Sequence, residues 1–333
     1  MMSDSCTKPS ELKEKKDFRY NIISIVGDYG VVIFFLFILL FFSVWLPDRF
    51  PTMTNLRNVL GDQAIPGMLA LAAMLPLAAG EFDLSVGAVL GFNSIVTAYL
   101  VAKGIPVPAV FFICISLGLL LGAINAFLVV VIGVNAFIGT IGVGTILAGM
   151  NLLVSGGRTL YQSIPESLTI ISMGTMATLP LTIYYFAALA LILWYMMDLT
   201  PFGRYIHATG SGREAARLTG VRTNFYLTTS FVLAGGIGGL CGFLTTARIG
   251  SATASIGPEY LLPAFAAAFL GATTIQRGRF NVWGTVVGAL TLAVGITGLQ
   301  LAGAPFWVPN LFNGLALIIA VSVAVIVSRR SAD

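Results

Sequence analysis

Long apolar runs separated by short polar segments make up most of this chain. A membrane core of about 30 Å needs roughly 17–25 apolar residues in helical form, and ten runs are near that length. The pattern therefore predicts an all-α polytopic membrane protein with about ten transmembrane helices. The predicted spans are 29–46, 64–79, 84–101, 107–132, 136–154, 181–197, 226–245, 259–274, 282–300 and 309–327.

The positive charges orient these spans. If the N-terminus is cytoplasmic, thirteen of the 18 Lys and Arg residues fall on inner segments and five on outer ones. Cytoplasmic loops of membrane proteins carry such an excess. We therefore predict that both termini are cytoplasmic, with a tail over 1–28, a transmembrane domain over 29–327 and a second tail over 328–333. Residues 198–225 form the longest predicted cytoplasmic loop.

Composition excludes several classes of protein. Hydrophobic residues make up 57% of the chain and charged residues 10%, whereas soluble domains are about 25% charged. The net charge of +4 is spread along apolar segments, so we expect membrane lipid around the chain and no nucleic acid partner. The three cysteines are scattered, which predicts neither a disulfide framework nor a metal site.

The residues needed for catalysis are missing as well. His207 is the single histidine of the chain, so neither a Ser-His-Asp triad nor a histidine metal cluster can form. We interpret it as an ordinary loop residue, with a weak pH sensor as the alternative. No lysine follows Lys103 and no Gly-Lys-Ser/Thr occurs, so the chain lacks the P-loop of an ATPase. We predict that the chain is not an enzyme and holds no cofactor or metal of its own.

Two carboxylates, Glu81 and Asp83, stand between the second and third spans. Ionisable groups in membrane segments often mark ion pathways, so a coupling pair is one interpretation. The other is that Asp83 caps the N-terminus of the third span, where the helix dipole favours a negative charge. The second interpretation is preferred, because the spans themselves hold almost no charge.

Glycines four residues apart recur inside the spans. Such pairs let helix backbones approach closely in a membrane. Helix packing is the preferred interpretation, and a hinge or pore lining is the alternative. The pairs are Gly87/Gly91, Gly118/Gly122, Gly235/Gly239, Gly238/Gly242 and Gly284/Gly288. A faint internal repeat is also visible, since an apolar run, a short loop and a glycine pair occur over 68–91 and again over 263–288.

The long inner loop contains a short helix of its own. Ser211 and Glu214 match a Ser-x-x-Glu capping box, and Gly220 is a natural helix stop. A helix of about two turns does not persist alone in water, so something must hold it. Ala215 and Ala216 give it a small, flat surface, which suits docking into a groove on another protein. A solvated connector is the alternative.

Together with its flanks, this loop resembles the cytoplasmic coupling loop of the membrane-spanning permeases of ribose-type ABC importers, which carry monosaccharides. The stretch Asp83-Leu84-Ser85-Val86-Gly87 resembles a signature of the same family. A glycine-rich span over 233–244 and the segment 259–300 are similar to that family as well. The likeness covers roughly residues 30–327, and the motifs occur in the family's order.

The resemblance implies an ABC importer permease fold in a bacterial inner membrane and a division of labour among several chains. A second copy of the permease or a close paralogue would complete the transport path as a dimer. A separate ABC-type ATPase would bind ATP and Mg²⁺ and dock on the coupling loop. A periplasmic sugar-binding protein would deliver the substrate from outside.

The resemblance also assigns the ATPase-docking residues, whereas it assigns no substrate-binding residue. Large or charged replacements at Ala215 or Ala216 should then uncouple transport without preventing membrane insertion. Three alternatives remain: a related permease for branched-chain amino acids or nucleosides, an ion-coupled secondary transporter that uses Glu81 and Asp83, and a structural scaffold. The implied docking residues are Gly203, Arg204, Glu214, Ala215, Ala216, Arg217 and Gly220.

Overall fold

The computed structural model describes residues 29–161 and 164–330, with side chains up to residue 324. The predicted tail over 1–28 lies outside the described residues, as do residues 331–333. The helices are α1 (Tyr29–Trp45), α2 (Met53–Ala78), α3 (Val86–Ala102), α4 (Val107–Ala126), α5 (Ala136–Ser155), α6 (Glu166–Met173), α7 (Leu181–Trp194), α8 (Pro201–Ser211), α9 (Arg213–Leu218), α10 (Thr223–Ile249), α11 (Ile256–Ala272), α12 (Val282–Leu301) and α13 (Val308–Arg330).

Three smaller elements complete the described part of the chain. The π-helical turns Phe127–Ile132 and Tyr195–Leu199 continue α4 and α7 without a break. Strands β1 (Thr175–Met176) and β2 (Leu179–Pro180) form a small antiparallel hairpin just before α7. The fold is therefore almost entirely helical.

A helix lies at each of the ten predicted spans. Among the described residues, six helical segments are long and apolar enough to cross a membrane, namely α2, α4 and α7 with their π-helical turns, α5, α10 and α12. The shorter apolar segments are α1, α3, α11 and the part Val308–Ala324 of α13. The chain is thus a polytopic membrane protein by composition and by helix length.

The largest difference in boundaries concerns α2, which begins at Met53 whereas the predicted span begins at 64. The hydroxyl of Thr52 caps this helix by accepting a hydrogen bond from the Asn55 backbone N–H at 3.1 Å. Polar residues such as Arg57 and Asp62 occupy the added turns, so a search for apolar runs misses them. Helix formation here follows from the cap and not from hydrophobicity.

Helices α2 and α10 form the centre of the bundle. In the 18-residue apolar stretch of each helix, 78% of the residues of α2 and 72% of those of α10 are buried. The corresponding share is 33% or less for α4, α5 and α7. Helices that are hydrophobic all round are suited to such burial. The outer helices instead expose large apolar side chains such as Phe112 and Leu153, which suits contact with lipid.

Glycine pairs bring α4 and α10 into backbone contact, as the packing interpretation predicts. A Cβ atom added at Gly235 would lie against the carbonyl oxygen of Gly118, and one added at Gly118 would lie against that of Gly235. A Cβ at Gly122 would likewise meet the carbonyl oxygen of Phe231. These positions have no room for any side chain, so the small residues serve helix packing.

Loops that were predicted to share one side of the membrane lie at the same end of the bundle. A Cβ added at Gly80 would be 3.1 Å from the Cα atom of Gly210 in α8. The side chain of Gln276, in the loop before α12, donates to Asp198 at 3.5 Å. At the opposite end, Leu160 and Ala252 pair as a β-bridge.

Two stretches of the structure share a local pattern, and they are not the two stretches of the predicted repeat. The related stretches are 80–87 and 250–257, since each begins with a glycine in the left-handed region, at φ 87° for Gly80 and 70° for Gly250. Each ends in a glycine near the start of a short helix, and Gly87 and Gly257 pack against each other's carbonyl groups. The pairs α2–α3 and α10–α11 therefore meet head to head at the centre of the bundle.

Candidate functional site

Helix α8 lies against the end of α7 and presents a long exposed side. Thr200 caps it by accepting a hydrogen bond from the Phe202 backbone N–H at 3.2 Å, and Pro201 occupies its first turn. Gly203, Ile206 and Thr209 are its buried residues, and this three-residue spacing follows one face of the helix. Gly203 packs directly on the carbonyl of Met197, so it is a contact within the chain.

One residue, Gly212, separates α8 from α9, and the predicted capping box is wrong. Ser211 is the last residue of α8, and its hydroxyl donates to the His207 carbonyl at 2.9 Å. Gly212 is the N-cap of α9 and forms no side-chain cap. The motif failed because α8 extends through Ser211 and satisfies its hydroxyl within its own last turn.

The predicted helix stop at Gly220 is confirmed. Gly220 has φ 87°, a conformation that side chains disfavour. Its N–H donates to the Arg217 carbonyl at 3.0 Å, and that of Val221 donates to the Ala216 carbonyl at 3.1 Å. This pair of bonds is the Schellman motif, which ends α9.

The short helix is held by α10. The guanidinium of Arg213 donates to the side chain of Asn224 at 2.9 Å. Aromatic rings of α8 pack on the same turn of α10. The ring centroid of Tyr226 lies 5.2 Å from that of Tyr205 and 5.7 Å from that of Phe202. These contacts supply the support that a two-turn helix needs.

The two alanines of α9 lie on different faces. Ala215 is exposed, whereas Ala216 is only 7% exposed and packs inside the chain. The expectation that both form one flat outer surface is therefore wrong, because adjacent residues of a helix point about 100° apart. An Ala216→Arg substitution would disturb the fold itself.

The exposed side of α8 and α9 contains five of the seven residues that are predicted to dock an ATPase. We call this set of residues the docking surface. Leu218 is 88% exposed, and sequence reasoning missed it, although an apolar residue in a polar loop helix was the available signal. The docking surface comprises Arg204, Glu214, Ala215, Arg217, Leu218 and Gly220.

His207 lies on α8, partly buried. Burial and the nearby Arg279 guanidinium both lower its pKa, to about 4. The imidazole is therefore neutral at physiological pH and does not change its charge there. This lowered pKa favours the interpretation of His207 as an ordinary loop residue.

Asp83 is fully buried at the start of α3. Its Oδ1 atom accepts hydrogen bonds from the backbone N–H of Ser85 at 3.0 Å and from the Ser85 hydroxyl at 2.6 Å. The amide of Asn125, at the end of α4, donates to the Ser85 hydroxyl at 2.6 Å. The hydroxyl of Thr140 in α5 accepts from the Leu84 N–H at 3.1 Å. This cluster joins three helices.

The rest of the signature is structural as well. The N-cap of α3 is Ser85 and not Asp83, so the predicted cap is two residues too early. Asp83 instead accepts hydrogen bonds from this N-cap residue. Val86 is buried, and Gly87 lies at the crossing with α11. Glu81 is half-buried; burial raises its pKa, and the nearby Arg213 charge opposes that shift. Among the described residues, no three His, Cys, Asp or Glu side chains form a group suited to a metal.

Comparison with known proteins finds relatives that cover most of the chain. The profile of a permease family, described as a branched-chain amino acid transport system permease component, matches residues 55–321. The ribose import permease protein of Haemophilus influenzae is 29% identical over 278 residues, which cover 83% of this chain and 86% of that protein. No solved structure shows significant similarity to the chain.

Two further relatives have other substrates in their names. The D-allose transport system permease protein of Escherichia coli is 27% identical over 321 residues, which cover 96% of this chain and 98% of that protein. The autoinducer 2 import system permease protein of Salmonella paratyphi B is 30% identical over 260 residues, 77% of this chain and 78% of that protein. The chain thus belongs to the permease family of ABC importers.

Proposed function

We propose that the chain is the transmembrane subunit of an ATP-driven importer that passes a monosaccharide from a periplasmic binding protein into the cytoplasm. The observation that carries this proposal is the docking surface, an exposed helical pair that is held firmly on α10. Two relatives named for the sugars ribose and allose support a monosaccharide as the substrate class. Branched-chain amino acids, which the family description names, are the second candidate class.

The membrane topology is part of the proposal. Ten spans with both termini cytoplasmic would make 29–327 the permease domain, with 1–28 and 328–333 as cytoplasmic tails in a bacterial inner membrane. The clustering of 79–85, 198–222 and 273–281 at one end of the bundle supports this arrangement. The excess of positive charge on these segments supports a cytoplasmic location for that end.

The ATPase would be a separate chain that holds ATP and Mg²⁺ and docks on residues 198–225. In the docking surface, Leu218 offers an apolar contact, and Arg204, Glu214 and Arg217 offer charges around it. A small buried centre with a charged rim is the usual composition of a specific interface. Gly203 and Ala216 would support the surface from below, because both are buried in the chain.

Coupling to the membrane part would pass through contacts of α8. Gly210 of α8 packs against Gly80, the glycine that links α2 to α3. A rigid-body shift of the docking surface would therefore reach the α2–α3 connection without passing through a flexible loop. Such movements of helices are a known means of alternating access. A second copy of the chain or a paralogue would supply the other half of the path.

The Ala215→Arg variant tests the docking role. Ala215 is exposed, so we expect normal folding but at least tenfold less ATPase subunit recovered with the protein. ATP-dependent uptake of the sugar should fall to the same degree. Both are measured after mild solubilisation of membranes, by mass spectrometry of the co-purified subunits and by uptake of labelled sugars.

The matched control is Ala102→Arg, which places the same side chain on an exposed alanine at the opposite end of the bundle. This variant should retain the ATPase subunit and transport. Full recovery of the ATPase subunit with Ala215→Arg, in a protein that still melts like the native chain, would refute docking on α9. Uptake that follows an ion gradient without any ATPase would favour the ion-coupled alternative.

A further inference from the structure

A polar cavity lies at the end of the bundle opposite the docking surface. Helix α10 is 27 residues long, about 40 Å, and separates the two sites. The cavity has a volume of about 420 Å³, within the roughly 300–1,000 Å³ typical of small-molecule sites. Its lining residues are Asp62, Ile65, Met173, Arg248, Ile249 and Tyr260.

The polar part of this cavity is an ion pair between α2 and α10. Both Nε and Nη2 of Arg248 donate to the same oxygen, Oδ1 of Asp62, at 3.2 and 2.5 Å. Within the described residues, Oδ2 of Asp62 accepts no hydrogen bond and Nη1 of Arg248 donates none. The pair therefore retains a free acceptor on the carboxylate and a free donor on the guanidinium.

The guanidinium is positioned by its surroundings. A Cβ atom added at Gly61 would lie 2.9 Å from Nη2 of Arg248, so the glycine makes room for the guanidinium against α2. The Arg248 side chain is 21% exposed, whereas that of Asp62 is 71% exposed. The partly buried guanidinium of Arg248 therefore holds the largely exposed carboxylate of Asp62 in place. A charged carboxylate cannot face lipid without a large free-energy penalty.

A role as a clasp between α2 and α10 does not explain this geometry. A clasp gains most from a bidentate pair in which each carboxylate oxygen accepts one bond. Here one oxygen accepts both bonds, and an exposed pair stabilises a fold by only about 0–1 kcal/mol. The arrangement also leaves an acceptor and a donor on two residues that line the same cavity as Tyr260.

We propose that this cavity is a binding subsite for a monosaccharide at the mouth of the transport path. The carboxylate accepts a hydrogen bond from one sugar hydroxyl, and the guanidinium donates to the oxygen of another. The tyrosine ring offers an apolar face with a hydroxyl at its edge. This inference rests on the proposed function, because it takes the transported substrate to be a sugar.

The test measures uptake of radiolabelled D-ribose and D-allose by cells that express the full chain with its ATPase and binding protein. Asp62→Asn and Arg248→Gln are each expected to lower uptake of the transported sugar by at least tenfold. They should also change the ratio between the two sugars, because a group that touches hydroxyls distinguishes their positions. Asp48→Asn, at another exposed aspartate of the same end, should leave both rates unchanged.

The charge-reversed pair, Asp62→Arg with Arg248→Asp, separates a subsite from a clasp. Its melting temperature should match that of the native chain, whereas its uptake should stay as low as that of the single variants. Recovery of uptake by the reversed pair would overturn the inference, and so would an unchanged sugar ratio in the single variants together with weaker capture of the binding protein. If the native chain carries no monosaccharide at all while its ATPase is bound, the proposed function itself fails, which is a different result.

Discussion

A Gly235→Val variant is expected to yield no stably folded protein. The Cα and N atoms of Gly122 would lie 2.8 Å from the added Cβ atom, and the carbonyl oxygen of Gly118 would lie closer still. These are backbone atoms, so no rotation of a side chain can relieve the clash. Overpacking against side chains costs about 1–3 kcal/mol, and separating α4 from the central helix α10 costs more.

The measurement is the yield of a single species in size-exclusion chromatography, followed by thermal unfolding in detergent. Gly149→Val is the matched control, because Gly149 also lies inside a helix but has no atom within 4 Å of an added Cβ. It should fold as well as the native chain, since valine is no worse than glycine in a helix. A Gly235→Val protein with the native yield and melting temperature would show that α4 and α10 do not cross here.

Replacing Asp83 with leucine is expected to lower the free energy of unfolding by about 2–4 kcal/mol. Leucine has similar size but accepts no hydrogen bond, so the N–H and hydroxyl of Ser85 would lose their buried acceptor. Each buried group left without a partner costs about 1–3 kcal/mol. The loosened joint between α3, α4 and α5 should also slow transport.

Asp83→Asn separates the hydrogen bonds from the charge. The asparagine oxygen can still accept both bonds from Ser85, so the free energy of unfolding should change by less than about 1 kcal/mol. Thermal unfolding of the three proteins in one detergent gives the comparison. If both variants lose stability equally, the negative charge and not the hydrogen bonding is what the cluster needs.

The positions of the membrane helices were predictable because lipid imposes one simple requirement. An apolar helix must be long enough to cross the bilayer, and that length is legible in the sequence. The start of α2 at Met53 was missed, since polar turns capped by Thr52 extend the helix beyond its apolar part. The pattern of hydrophobicity predicts the apolar part of a helix, but it does not predict polar turns that a capping residue adds before it.

The docking surface was predictable only in part. Gly220 stops α9 through a local motif, and local motifs depend on neighbouring residues alone. Which alanine of α9 faces outwards depends on how the helix packs on α10, so Ala215 and Ala216 could not be told apart. The exposure of Leu218 is likewise a consequence of packing.

By itself, the sequence determined the class of protein, the approximate positions of the apolar helices and the loop that contains α8 and α9. These follow from hydrophobicity, charge and short motifs, which act over a few turns. Only the tertiary structure decided that Asp83 joins α3 to Asn125 and that Asp62 meets Arg248. Those partners lie 42 and 186 residues apart in the chain. No local pattern specifies such pairs, because they depend on which helices cross and at what height.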